Sequence, residues 1–244
     1  RAFDVTYEDT SGEQQYVHQT TYGMSERLLG AIVASHGDNR GLIMPPAVAP
    51  VQVIVIPILS KEGSEEVMSK AEEIVSSLKS SGIRTKLDSR DIRPGQKYYD
   101  WEIKGVPLRI EIGPRDLANN SVMCAKRTGE KTSQSLDGLV DIVQNQLESI
   151  GDEMMSNSLQ HFNSHIQKLP NFTVDGNNLI FDEPIQTDIV YEFAFAGNDA
   201  EAEMIEKSTG LSFLGDSTKL YDEKKPCVFT SALTNRRIYL SKGY

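Results

Sequence analysis

The sequence predicts a mixed α/β and α+β protein, and three observations carry that reading. Between residues 51 and 150, apolar strands alternate with amphipathic helices, the pattern of a sheet packed by helices. After residue 151 the order becomes a helix, several short strands, another helix and more strands, which is α+β. Before residue 51, a short hairpin and one helix run into a proline-rich stretch.

In the first 50 residues, FDVTYE and QQYVHQT read as strands joined by the turn-rich DTSGE, with Tyr16–Tyr22 extended until Gly23 breaks the strand. Ser25 and Glu26 mark a helix start. Leu28, Leu29, Ile32 and Val33 recur at helical spacing until Gly37 stops the run. HGDNRGLIMPPAVAP, dense in turn formers, reads as a linker.

From residue 51 the period changes. VQVIVIPI is a near-continuous apolar run, as in a strand buried on both faces. Val67, Ala71, Ile74, Val75 and Leu78 mark an amphipathic helix, and IRTKLD a short strand. GQKYYDWEIKG reads as a helix between Pro94 and Gly105. PLRIEIG alternates, with Leu108, Ile110 and Ile112 on one face and Arg109 and Glu111 on the other. SVMCAKR gives another strand, and Leu136, Leu139, Val140, Val143, Leu147 and Ile150 mark a closing helix. Further on, FTVDGNNLIFD reads as a hairpin turning at DGNN, followed by a helix near 199–208.

Composition narrows the partners. Charged residues make up 25% and hydrophobic ones 39%, ordinary for a globular protein. No apolar run approaches the roughly 18 residues needed to cross a bilayer. The start RAFDV, without a methionine, reads as a cut inside a longer protein. Two cysteines, Cys124 and Cys227, are too few for a disulfide framework and fit a reducing, cytoplasmic setting. The net charge of −10 argues against nucleic acid, yet residues 79–131 hold 12 basic against 7 acidic side chains. Phosphate backbones respond to local potential, so this segment can bind RNA inside an acidic protein. On charge alone, a solvated mixed-charge surface is the simpler reading.

Few single residues carry chemistry by themselves. His161 and His165 stand i, i+4 without a visible third ligand, so a surface pair is the better reading. Arg27 is unusual, because the first turn of a helix favours an anion. Half-buried at a strand end beside a glycine turn, it would be a fixed charge able to meet phosphate oxygens. A salt bridge to Glu26 or Glu13 is the equal alternative.

Two longer strings go further. QTTYGMSERLLGAIVASHGDNRGLIMPPAVAP resembles motif 3 of a class II aminoacyl-tRNA synthetase and its exit linker, in the prolyl version. DSRDIRPGQKYYDWEIKGVPLRIEIGPRDLANNSVMCAKRTGEK is similar to the anticodon-binding domain of the prolyl-tRNA synthetase family, archaeal and eukaryotic type, and the match extends to RRIYLSKGY. The resemblance implies three regions: 1–50, the end of an antiparallel class II catalytic domain; 51–150, an α/β anticodon-binding domain; 151–244, a small α+β domain. It implies a ligase that attaches proline to tRNA(Pro) through prolyl-adenylate, using ATP with Mg2+, homodimeric at full length and inactive as this stretch alone. The other reading left open is a non-catalytic, synthetase-derived tRNA-binding module. The intact motif 3 favours the enzyme.

The resemblance also assigns residues. Arg27 matches the arginine that holds ATP phosphate, with Gln19 and Ser25 beside the nucleotide and Thr21, Tyr22 and Gly23 lining the proline side. Tyr22 stands where tryptophan is usual, and Ala47 where arginine is usual. Arg90, Glu102 and Lys104 match polar positions suited to reading guanine edges in a splayed single strand. Arg93, Lys97, Lys126 and Arg127 suit phosphate contacts. In relatives the last domain often holds zinc on four cysteines. The matching positions are Ala196, Glu201, Cys227 and Thr230, so no zinc is expected here and aromatic packing should replace it.

Overall fold

A computed structural model describes residues 3–59, 63–219 and 221–243 of the chain. It is a mixed α/β structure with several separate sheets, and it divides into two compact units, residues 1–151 and 152–244.

The first unit opens with the expected hairpin, β1 (Thr6–Glu8) antiparallel to β2 (Gln14–Tyr16). The second strand is shorter than the sequence suggests. It stops at Tyr16, and after one further bond from Val17 N–H to Val5 O at 3.0 Å the stretch to residue 26 carries no regular structure. Helix α1 (Arg27–His36) follows and ends at Gly37 as its pattern requires. It is amphipathic, yet none of its residues is buried.

Strand β3 (Val53–Pro57), buried along its whole length, lies inside a five-stranded sheet. Helix α2 (Ser64–Ser80) buries Val67, Ala71, Ile74, Val75 and Leu78, the stripe its spacing marks. Then come β4 (Thr85–Leu87), α3 (Pro94–Ile103) with Pro94 in its first turn, β5 (Leu108–Ile112) and a single-turn α4 (Pro114–Ala118). The sheet closes with β6 (Ser121–Lys126) and β7 (Lys131–Ser135), in the order β4-β3-β5-β6-β7. β3 runs parallel to β4 and β5, β5 is antiparallel to β6, and β6 is antiparallel to β7. Register sets the two faces. Ile54 and Ile56 lie beside Arg109 and Glu111, and Arg109 beside Ala125, so a polar strip shares its face with apolar β3 residues. Tyr98 and Trp101 of α3 pack on Ile54 and Ile56.

The stretch 37–50 is no free linker. Asp38 and Gly41 form a bridge, Leu42 N–H donates to Ile103 O and Met44 N–H to Gly105 O. Arg84 donates to the carbonyls of Pro46, Ala47 and Ala49. The prolines remove donors while other backbone groups bond to Ile103 at the end of α3, to Gly105 and to Arg84, which seats the stretch as a strap. The close approach needs glycine: a Cβ at Gly41, where φ is +130°, would stand 2.6 Å from Ile103 Cα.

Helix α5 spans Leu139–Ser164. Leu136 precedes it, and the helix runs on past Ile150 because buried Met154 continues the stripe of Val143, Leu147 and Ile150.

In the second unit, β8 (Ile166–Lys168) leads to the hairpin β9 (Phe172–Asp175) and β10 (Asn178–Phe181), which turns at Gly176 and Asn177. There follow β11 (Val190–Ala194), α6 (Asp199–Thr209), β12 (Ser212–Asp216), the short pair β13 (Lys225–Pro226) and β14 (Leu233–Thr234), and β15 (Arg237–Ser241). The main sheet has the order β12-β15-β11-β8, with only β8 parallel to its neighbour. Tyr191, Phe193, Phe195, Ile205, Leu211 and Leu240 form its core, with Phe213 and Phe229 packed against it. Among the described residues no helix is long and apolar enough to cross a membrane.

Candidate nucleic-acid interface

Asp88, just past the end of β4, organises one side of the first unit. Its carboxylate is almost fully buried and accepts from Trp101 Nε1 at 2.7 Å and from Arg90 Nε and Nη2 at 2.9 and 2.7 Å. Its carbonyl accepts from Lys97 Nζ at 3.0 Å. Burial would raise the Asp88 carboxyl, but the bonds from Arg90 and Trp101 outweigh it and hold the group down at about 2. Arg90 also donates Nη1 to Asp100 at 2.7 Å. Three of its five donors are therefore fixed by carboxylates, and nearly half the side chain still faces solvent.

A second cluster lies on the polar strip of the sheet. Glu111, buried, accepts from Arg109 Nε at 3.0 Å and Lys131 Nζ at 2.9 Å. Burial pushes its carboxyl up, and these two cations bring it below the usual range. Arg109 stacks its guanidinium 4.1 Å from the Tyr98 ring centroid. Beside this network opens a cavity of about 230 Å³, bordered by Arg40, Trp101, Arg109, Lys126 and Lys131. Trp101 also borders a neighbouring cavity of about 280 Å³, with Lys86, Lys104 and Val106. Lys104 Nζ sits 4.6 Å over the Trp101 ring.

The expected base readers thus gather around one indole. Arg90 and Trp101 share Asp88, Glu102 pairs with Arg40 at 2.9 Å, and Lys104 lies on Trp101 itself. Two expected phosphate contacts are corrected. Lys97 is buried against the Asp88 carbonyl, and Arg127 is buried with Asp38 and the Glu102 carbonyl, so neither presents its charge to a backbone. Lys126 is tied to Glu130 at 2.8 Å and lines the cavity. Arg40, Arg109 and Lys131 were not singled out from the sequence. The signal for Arg109 was there, a charge at i and i+2 on a strand otherwise buried.

The other predicted set lies in the irregular stretch before α1. Gln19, Thr21, Tyr22, Gly23 and Ser25 are exposed, Tyr22 at 94%. Arg27 is the first residue of α1, exposed where half-burial was expected, and has no ion pair among the described residues. Among the described residues the sheet that precedes it is a hairpin of two strands.

Three of the four zinc positions, Ala196, Cys227 and Thr230, meet at the Cys227 sulfur, without the donors for a metal. Cys227 Sγ accepts from Ala196 N–H at 3.2 Å. Burial raises the Cys227 thiol, but bonds from Thr230 and the nearby backbone bring it below its ordinary value. Glu201 instead caps α6, accepting from Asn198 N–H at 2.9 Å. One thiol among alanine, a capping carboxylate and a threonine does not fit zinc. Among the described residues no group of three His, Cys, Asp or Glu could hold a metal; His161 and His165 stack at 4.1 Å as a pair alone.

Residues 52–146 match the family model for an anticodon binding domain. The chain is 42% identical over 229 residues to a proline–tRNA ligase of Methanocorpusculum labreanum, covering 93% of this chain and 46% of that protein. It is 40% identical over 231 residues to one of Thermococcus kodakarensis, covering 92% and 47%. With one of Methanococcoides burtonii it is 39% identical over 246 residues, covering 100% and 50%. The chain spans about half the length of the curated relatives it matches.

Proposed function

Because the chain belongs to the archaeal-type prolyl-tRNA synthetase family, we propose that it is the C-terminal portion of a proline–tRNA ligase, cytoplasmic and homodimeric at full length. In this reading residues 1–50 end the catalytic domain, 51–150 recognise the anticodon of tRNA(Pro), and 151–244 form the last domain. The whole enzyme would activate proline with ATP to prolyl-adenylate and pass it to tRNA. Mg2+ bound with ATP would neutralise phosphate charge.

The observation that carries the reading is the ring of side chains around Trp101. An indole bordered by two cavities and by Lys104, Arg109, Lys126 and Lys131 combines a stacking surface with a local positive field. The Asp88 clamp orients Arg90 so that one N–H on each terminal nitrogen remains for a base edge. Glu102, held by Arg40, supplies an acceptor suited to guanine N1 and N2.

Arg27 would serve the reaction rather than the helix. With Gln19 and Ser25 it would meet ATP, while Thr21, Tyr22 and Gly23 line the proline side. The exposed Leu28, Leu29 and Val33 of α1 support this. A helix with an apolar stripe and nothing buried requires cover, and the relatives are about twice this length. The chain alone would then lack proline-dependent ATP–pyrophosphate exchange. The last domain would hold no structural zinc, its aromatic core taking over that role.

The test is binding of tRNA(Pro) and of an anticodon-substituted version to the chain. Lys104→Ala should lose about 1–3 kcal/mol of discrimination between the two. Lys126→Ala should weaken both equally and reduce the slope of affinity against salt. Equal losses for both tRNAs with Lys104→Ala would remove the assignment of base reading.

A further inference from the structure

The second unit holds a cavity that tRNA recognition does not use. Strand β8 flanks β11 only as far as the pair Lys168–Glu192. Beyond it, Val228 N–H donates to Ala194 O at 3.1 Å, so residues 225–228 take up the flank that β8 leaves. At this seam lies a cavity of about 510 Å³, within the ~300–1,000 Å³ of small-molecule sites. Register puts Ile166, Lys168, Glu192, Ala194 and Arg237 on one face of the sheet as its floor. Lys225, Pro226 and Val228 make the wall.

Charge identifies the ligand class. Lys168, Lys225 and Arg237 line the space against a single acid, Glu192. Arg237 is 4% exposed and has no carboxylate partner among the described residues. Its guanidinium donates to the carbonyls of Thr234, Arg236 and Glu223 at 3.1, 3.3 and 3.0 Å and lies 5.0 Å from the Tyr221 ring centroid. Carbonyl dipoles satisfy its donors but leave a full buried charge uncompensated, a costly arrangement. Glu192 does not relieve it: its Oε1 accepts from Tyr221 Oη at 2.8 Å, and it forms no ion pair among the described residues.

We propose that this cavity binds a small organic monoanion, a carboxylate on a short aliphatic or aromatic body. The head group lies in the field of Arg237, Lys225 and Lys168, and the body lies against Ile166, Pro226 and Val228. Inorganic phosphate has no apolar body to lie against Ile166, Pro226 and Val228, so it forgoes these contacts and is the poorer ligand.

The experiment is NMR titration of the isotope-labelled chain with octanoate, with octanol and inorganic phosphate as comparators. Octanoate should saturate one site and shift resonances of residues 166–169, 192–194 and 225–228. Octanol, the neutral counterpart, should bind at least about tenfold more weakly, and phosphate should not compete. Because Arg237 is buried, its loss threatens the fold, so the charge test uses the exposed pair Lys168→Glu with Lys225→Glu. This variant should lose at least about tenfold in octanoate affinity. Val228→Trp, which fills the space, should block binding with the circular dichroism unchanged. No saturable shift up to roughly 10 mM, equal binding of octanol or phosphate, or unaltered affinity in the double lysine variant would each overturn the proposal.

Discussion

Arg127 and Asp38 stand 89 residues apart in sequence and close a two-pronged ion pair, Nη2 to Oδ1 at 2.6 Å and Nη1 to Oδ2 at 3.0 Å. The guanidinium is almost fully buried and the carboxylate is one-third exposed. The pair holds the strap 37–50 onto the sheet, and Arg127 Nε ties it to the Glu102 carbonyl beside the Trp101 cluster. Asp38→Asn would leave a buried cation without its counter-charge. Removing one partner of a buried pair costs about 3–5 kcal/mol, and the solvent access of Asp38 points to the lower end. Urea denaturation of the chain checks this. A free-energy change within about 0.5 kcal/mol of zero, the size of an ordinary surface substitution, would mean that the strap is held by its backbone bonds alone.

Acid should loosen the Asp88 clamp. Its carboxyl is held down at about 2 in the folded state, against 3.8 when free, by Arg90 and Trp101 working against burial. A depressed folded value means the stabilisation is complete above the unfolded value. It is then lost as pH falls from about 4 towards 2, and amounts to on the order of 2 kcal/mol. Asp88→Asn should therefore be less stable than the parent at pH 7 and converge on it near pH 2. Parallel stability curves across that range would show that Asp88 does not titrate as described.

Strong periodicity made much of this fold readable. β3, α2, α3, β5 and the hairpin 172–181 occur where pattern and turn residues agree. β7 was not foreseen, because KTSQS carries no apolar alternation and forms only against β6. The docking of 37–50 was hidden for a related reason: Pro and Gly read as turn formers whether a stretch is free or bonded to α3. Site residues divided in the same way. Lys97 and Arg127 look like surface cations in the sequence, and only the tertiary partners Asp88 and Asp38 make them interior ones.

Arg27 tests the catalytic half of the proposal. Exposed at the start of α1 and without an ion pair among the described residues, it contributes little to the fold of this chain. Arg27→Ala in the chain should leave thermal stability within about 0.5 kcal/mol of the parent. In the full-length enzyme the same substitution should lower kcat/KM for proline activation by about 3 kcal/mol, the size of one lost transition-state charge contact. Stability unchanged and activity also near normal would remove Arg27 from ATP binding.

Metal content tests the proposal that the last domain holds no structural zinc. At the positions that matter, Cys227 is the only thiol, and its sulfur is already engaged as an acceptor from Ala196 N–H. A structural site draws its folding energy from four good donors, and three are missing. Elemental analysis of purified protein should find far less than one zinc per chain, and a chelator should leave Tm unchanged. Cys227→Ala should still cost stability, because it opens a small void beside Phe195 and Phe229 and leaves the Ala196 N–H without its acceptor, about 1–3 kcal/mol together. Cys227→Ser keeps an acceptor and should recover part of that loss. If zinc were instead bound, serine would be as damaging as alanine and the chelator would lower Tm of the parent, so the two variants and the chelator give opposite patterns under the two readings.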